Sequence, residues 1–105
     1  VYHPGLETHP RYELGRKQMS GYTGLFGVEL HGSEEQAVKF CDSLKLFGKG
    51  CSWGGFESLA IMPLRQADDG LIDKFGASRN IIRLHCGLEG ADNLIDDLDK
   101  ALQAL

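Results

Sequence analysis

The stretch Phe47-Gly48-Lys49-Gly50-Cys51-Ser52-Trp53-Gly54-Gly55-Phe56-Glu57-Ser58-Leu59-Ala60-Ile61-Met62-Pro63 decides how the rest of the chain is read. It opens as a glycine-rich turn, passes through Ser-Trp-Gly-Gly, and becomes a short apolar strand that stops at proline. Gly48, Gly50, Gly54 and Gly55 carry a large entropic cost in an ordered chain. Such a cluster persists where backbone must take positive φ, or where another group must come close to main-chain atoms. Beside it stand the Ser52 hydroxyl, the Trp53 indole N–H and the Glu57 carboxylate. Two readings are open. The turn is a tight connection between two strands with Trp53 filling core, or it is the mouth of a site.

Outward from this stretch, 57–62 predicts a strand, and Leu46-Phe47 predicts a shorter one leading into the turn. Upstream, Phe26, Val28 and Leu30 alternate with Gly27 and Glu29 as a half-buried strand does. Ser33 followed by Gln36 is a capping box, and it opens a helix predicted over 34–46. Glu34 and Glu35 sit at the positive end of that helix. Downstream, 64–80 reads as loop with one helical turn near 71–75, and 81–86 reads as a β-branched-led strand. Gly87-Leu88-Glu89-Gly90 turns into a final helix over 91–105. There Leu94, Ile95, Leu98, Ala101, Leu102 and Leu105 form one apolar stripe, and Asp92, Asp96 and Asp97 load the N-terminal half. At the start of the chain, Tyr2-His3-Pro4-Gly5 is turn chemistry. Pro10 suits the first turn of a short helix with Thr8 or His9 as cap, and 11–19 is polar enough to be mostly solvated. The order β-α-β-β-β-α predicts an α+β fold, a mostly antiparallel sheet with helices packed on one face.

With 105 residues the chain is one domain, of a size that buries roughly two-thirds of its unfolded surface. Its abrupt opening reads as the middle of something longer, so it is expected to be cut from a larger protein. A net charge of -4 without a basic run excludes a nucleic-acid footprint. No apolar stretch approaches the roughly 20 residues a bilayer crossing needs, and no signal-peptide pattern opens the chain. Cys41, Cys51 and Cys86 are odd in number and lack Cys-x-x-Cys spacing, so free thiols buried as small hydrophobes in a reducing cytoplasm are expected, with no metal. Convergence of Cys51, His85 and Cys86 on a metal is the weaker alternative.

Arg83 is the residue most out of place. It lies in a strand between Ile82 and Leu84, and a buried charge must be paired. Its planar fork suits a carboxylate in bidentate geometry. Either a salt bridge to Glu57 or Glu89 satisfies it, or the fork stays open for a ligand carboxylate near Ser52 and the Gly54-Gly55 N–H groups. His85 alternates onto the same face and reads as a hydrogen-bonded structural histidine. His3 and His9 are expected to be exposed, Lys49 solvated, and Glu57 an anchor for local hydrogen bonds.

Three segments in register go further: His3-Pro4-Gly5 with His9-Pro10, Ser52-Trp53-Gly54-Gly55-Phe56-Glu57-Ser58-Leu59, and Ile82-Arg83-Leu84-His85-Cys86-Gly87-Leu88-Glu89. Together they resemble the small C-terminal domain of the Cys/Met-metabolism family of pyridoxal-phosphate (PLP) enzymes, which are fold-type I. The tryptophan of Ser-Trp-Gly-Gly is most similar to the family's cystathionine β-lyase branch, since the γ-synthases and γ-lyases usually carry leucine there. Cys51 departs from that branch, where tyrosine is common. The resemblance implies that Arg83 binds the substrate α-carboxylate and that Ser52 and Trp53 line the same pocket. It places the Schiff-base lysine, the phosphate-binding loop and the aspartate on the pyridine nitrogen in an upstream domain. No catalytic or cofactor-binding residue is then expected in this chain, which is inactive alone. In the whole enzyme the cofactor ring serves as electron sink, and β-elimination of cystathionine gives homocysteine, pyruvate and ammonia. γ-Synthase and methionine γ-lyase activities are the alternatives within the family. The alternative of another class is a non-catalytic amino-acid-binding regulatory module. A cytoplasmic homotetramer acting on a small amino-acid substrate, without nucleic acid or membrane, is the implied setting.

Overall fold

A computed structural model describes residues 1–105. Four helices and four strands follow in the order α1 (Tyr12–Gln18), β1 (Leu25–Glu29), α2 (Glu34–Ser43), β2 (Gly48–Lys49), β3 (Leu59–Ile61), α3 (Asp69–Phe75), β4 (Ile81–His85) and α4 (Ala91–Gln103). The strands form one sheet in the order β1-β4-β3-β2. β4 lies antiparallel to both β1 and β3, whereas β2 and β3 are parallel. The α+β reading with a mostly antiparallel sheet therefore holds, and the parallel pair at one edge is the addition. That pair matters for the site. Two parallel strands cannot be joined by a tight turn, so the chain leaving Lys49 must travel back along the sheet before entering β3. The return path is the stretch 50–58.

Alternation along β4 sorts the two faces of the sheet. Ile82 and Leu84 point into the core with Ala60 and Phe47, Ala37, Phe40 and Leu44 of the α2 region, and Leu94 and Ala101 of α4. Phe26 and Val28 of β1, paired with Leu84 and Ile82, pack against the same core. Arg83 and His85 project to the opposite face. Residues 51–58 run over them.

Several elements differ from their expected bounds for identifiable reasons. The helix opened by Ser33 and Gln36 has both halves of its capping box, but it ends at Ser43 rather than 46. Its end is set by Asp97 of α4. The Asp97 carboxylate accepts hydrogen bonds from the N–H groups of Lys45 (2.8 Å), Leu46 (2.8 Å) and Phe47 (3.4 Å), which pulls 45–47 out of the helix. Asp97 is thus a buried anchor, 5% exposed, not a solvated charge on the helix start. The strand expected at Leu46-Phe47 forms instead at Gly48–Lys49. In 64–80 the single turn is a seven-residue helix: Asp68 caps it through the Leu71 N–H, and Gly76 ends it at φ 62°. α1 starts at Tyr12, with His9 Nδ1 accepting from the Arg11 N–H and no side-chain cap. Only Gly15 of that helix is buried, in keeping with its polar sequence. His3 is half-buried rather than exposed, its Nε2 3.0 Å from the Thr23 carbonyl and its ring beside Tyr22 and Phe26.

Replacing the Asp97 carboxylate leaves three backbone donors without their acceptor, a loss of about 3 kcal/mol. Asp97→Ala is expected to lower the unfolding free energy by that amount in urea titration with the m-value unchanged. A variant as stable as wild type would show that 45–47 is held by packing alone.

Candidate functional site

The site is built where 51–58 crosses the open face of β4. Every second residue from Arg83 onward holds it. The Arg83 Nη2 donates to the carbonyl oxygens of Cys51 (2.6 Å) and Ser52 (3.3 Å). Next along the strand, the His85 ring receives the Gly54 N–H, 3.1 Å from Nε2 and 3.4 Å from Nδ1, and its Nε2 lies 3.0 Å from the Gly55 carbonyl oxygen. Gly87 then lets the two backbones meet. A Cβ there would stand 2.2 Å from the Phe56 carbonyl oxygen and 2.6 Å from the Glu57 carbonyl carbon, which no side chain tolerates. The Gly87 N–H donates to Ser58 Oγ at 2.8 Å, and the Leu88 N–H donates to the Phe56 carbonyl at 2.8 Å. Last, the Glu89 carboxylate takes the Ser58 N–H (2.7 Å) on one oxygen and the Ser58 hydroxyl (2.6 Å) on the other.

This arrangement settles the alternatives for each side chain. Arg83 makes no ion pair within the chain: the four ion pairs are Lys49–Asp42, Arg65–Glu34, Arg79–Asp69 and Lys100–Asp96. Glu89 is committed to Ser58, and Glu57 is exposed, so neither expected carboxylate partner reaches the guanidinium. Glu57 makes none of the local hydrogen bonds expected of it. The fork is partly used all the same, because Nη2 is taken by the two loop carbonyls. Its Nε is shut off from water and has no partner at all, a state that costs about 1–3 kcal/mol for a buried donor. The expected Gly54-Gly55 donors are also partly spent, since the Gly54 N–H goes to His85. What faces Arg83 from the turn is carbonyl oxygen rather than N–H, as a cation attracts.

Trp53 does not fill core. It is 61% exposed, and the whole of 51–57 is solvent-exposed. The turn carries the indole outward because Gly54 takes φ +83°, a conformation that L side chains rarely adopt. Ser52 is exposed beside it, on the residue whose carbonyl Arg83 holds. The structure thus sets the exposed Ser52-Trp53 turn against Arg83 of β4. His85, 7% exposed, is the hydrogen-bonded histidine that was expected.

Other candidates resolve simply. Cys51 is exposed, contrary to the expectation of three buried thiols, while Cys41 and Cys86 are partly buried. Burial pushes the Cys41 thiol up to about 11 and the Cys86 thiol upward as well. Lys49 is exposed but ion-paired with Asp42 rather than free. No cluster of three His, Cys, Asp or Glu side chains has metal-binding geometry. No helix is long and apolar enough to cross a membrane.

Known proteins share this architecture. A family profile described as Cys/Met metabolism PLP-dependent enzyme matches residues 1–103. The chain is 41% identical to cystathionine gamma-lyase of Homo sapiens over 99% of its own length and 27% of that protein's. It is 38% identical to cystathionine beta-lyase of Lactococcus lactis subsp. cremoris over 98% of its own length and 28% of that protein's. In three dimensions it superposes on cystathionine gamma synthase from Xanthomonas oryzae pv. oryzae, solved in complex with cystathionine. That match has a TM-score of 0.90 and 34% identity, and it covers 98% of this chain and 28% of that one. The chain therefore spans about a quarter of the length of the curated relatives it matches (27% for the human protein). Relatives of comparable identity carry three different activities, so the tryptophan of the turn does not single out the β-lyase branch.

Within these 105 residues nothing fits the cofactor itself. Lys17, Lys39, Lys45, Lys49, Lys74 and Lys100 are all solvent-exposed, and Lys49 and Lys100 are ion-paired with Asp42 and Asp96.

The two bonds from Ser58 favour the ionised form of Glu89 and hold its carboxyl below the ordinary glutamate range. The folded pKa is therefore lower than the unfolded one. The stabilisation is present above about pH 4.3, the ordinary glutamate value, and is lost as pH falls through the lower folded value. Glu89→Gln is expected to weaken the acid limb of a stability-versus-pH curve measured by thermal melts. An acid limb identical to wild type would remove Glu89 as a pH-dependent anchor of the loop.

Proposed function

Because the chain belongs to the Cys/Met-metabolism family of PLP-dependent enzymes, we propose that it forms the substrate-carboxylate-binding domain of a carbon–sulfur lyase acting on cystathionine or a close analogue. The observation that carries this reading is the state of Arg83. A guanidinium without a counter-ion, its Nε buried and unpartnered, stands under an exposed Ser-Trp turn whose carbonyls it already grips. An amino-acid carboxylate supplies the counter-charge that this group lacks. Arg83 binds and orients that carboxylate, and Ser52 and Trp53 of the turn line the same site. Fixing the carboxylate fixes the direction of the Cα–H bond, which is a matter of orientation rather than of acid–base chemistry. Pyridoxal phosphate, held by residues outside this chain, supplies the electron sink when bound.

β-Elimination from cystathionine is the activity we favour, on the resemblance of Ser52-Trp53-Gly54-Gly55 to the β-lyase branch and on the Lactococcus relative. γ-Lyase or γ-synthase chemistry is the second reading, favoured by the human relative and by the Xanthomonas fold match. Enzymes match nearly the whole chain, which weighs against a regulatory amino-acid-binding module. The wider setting we propose is a cytoplasmic homotetramer in which this chain is the C-terminal portion of a longer polypeptide and is inactive by itself.

In the whole PLP-loaded protein, Arg83→Ala is expected to raise KM for the amino-acid substrate about 100-fold, the size of a lost charge-assisted pair. Steady-state kinetics decide it. Near-normal KM would remove the carboxylate role, and the ratio of pyruvate to 2-oxobutyrate released would separate β- from γ-elimination.

A further inference from the structure

The turn that carries Ser52 and Trp53 has almost nothing of its own to hold it in shape. Residues 51–57 are exposed, and apart from the flanking residues no heavy atom lies within 4 Å of where a Cβ would stand at Gly54 or Gly55. Two adjacent glycines in open space, one at φ +83°, sample many conformations unless something outside the turn selects one. Arg83 grips the turn before Trp53, at the carbonyls of Cys51 and Ser52. Phe56 and Ser58 are fixed beyond it, by Leu88 and Glu89. Between these anchors the Gly54-Gly55 unit is touched by one side chain, the buried ring of His85.

We propose that His85 is a positioning residue for the substrate site: its imidazole clamps the backbone on both sides of the Gly54–Gly55 peptide and so fixes Trp53 and Ser52 above Arg83. A ring carrying its proton on Nε2 donates to the Gly55 carbonyl oxygen at 3.0 Å. The Gly54 N–H approaches the same ring, 3.1 Å from Nε2 and 3.4 Å from Nδ1. Because His85 is two residues from Arg83 on one strand face, the clamp and the guanidinium move as one rigid unit. His85 touches neither substrate nor cofactor in this arrangement. It acts through the turn.

The inference rests on the carboxylate reading of Arg83, and the experiment keeps the two apart. In the whole PLP-loaded protein, KM and kcat for the amino-acid substrate are measured for His85→Leu, His85→Gln and Arg83→Ala. Leucine preserves bulk without hydrogen bonds, whereas the glutamine amide reaches the Nε2 position with both a donor and an acceptor. His85→Leu is expected to raise KM on the order of tenfold, the worth of the two lost hydrogen bonds, with kcat within about twofold of wild type. His85→Gln is expected to restore KM to near the wild-type value. Should His85→Leu not fold, His85→Asn takes its place with the same expectation, because its amide falls one methylene short of Gly55. A raised KM in Arg83→Ala with unchanged KM in His85→Leu overturns the His85 assignment alone. Unchanged KM in both variants overturns the carboxylate reading together with it. Failure of His85→Gln to recover KM also overturns the clamp, since bulk or fold rather than hydrogen bonding would then be what the histidine provides.

Discussion

A cation held against backbone carbonyls is the contact on which the rest of this structure turns. Arg83 sits on an inner strand of the sheet, between two residues that bury themselves completely in the core, so its position is fixed by the packing of Ile82 and Leu84. From that fixed point it draws in the carbonyls of Cys51 and Ser52 and leaves its own Nε unsatisfied. Hydrophobic burial on one face of β4 thus determines where a charge stands on the other. The parallel pairing of β2 and β3 completes the geometry, because it forces the connecting chain to double back across this face.

The polar contacts on the open face do the work that a core does elsewhere. Only 14 of 105 residues are buried, so apolar packing alone leaves long segments unanchored. Asp97 ties 45–47 to α4, and Glu89 ties Ser58 to the turn before α4. These two carboxylates bracket the glycine-rich stretch at its two ends. His85 and Arg83 hold its middle. Each hydrogen bond contributes on the order of 1 kcal/mol net, but together they convert a loop with little burial into a shaped surface. A turn defined by hydrogen bonds rather than packing leaves Trp53 free to face a ligand, and that is the form a substrate-binding element requires.

Much of this was legible in the sequence, and the gaps have physical causes. Alternation in Ile81-Ile82-Arg83-Leu84-His85 assigned the faces of β4, and Ser33 with Gln36 marked the start of α2. Those signals are local, carried by residues a few positions apart. The anchoring role of Asp97 was not legible because its partners lie about fifty positions away in the chain, and no local pattern distinguishes it from Asp92 and Asp96 (the Asp97–Leu46 separation is 51). The short helix α3 was underestimated although its cap residues, Asp68 and Gly76, were present, because Asp68-Asp69-Gly70 also satisfies turn chemistry. Trp53 admitted a core reading on size alone. Its exposure follows from the neighbouring glycines and from the return path that parallel strands impose, which is topology and not composition. The family resemblance placed Arg83 near the Ser52-Trp53 turn, where its Nη2 meets the Ser52 carbonyl, but it narrowed the branch further than relatives of three activities support.

The most direct measurement is a crystal structure of the whole protein with an unreactive amino-acid ligand bound. The ligand carboxylate is expected within hydrogen-bond distance of the Arg83 guanidinium, with the Trp53 indole over it and the Gly54–Gly55 peptide still on the His85 ring. A carboxylate bound elsewhere, with Arg83 still engaged only by the Cys51 and Ser52 carbonyls, would contradict the assignment of this guanidinium as the substrate anchor.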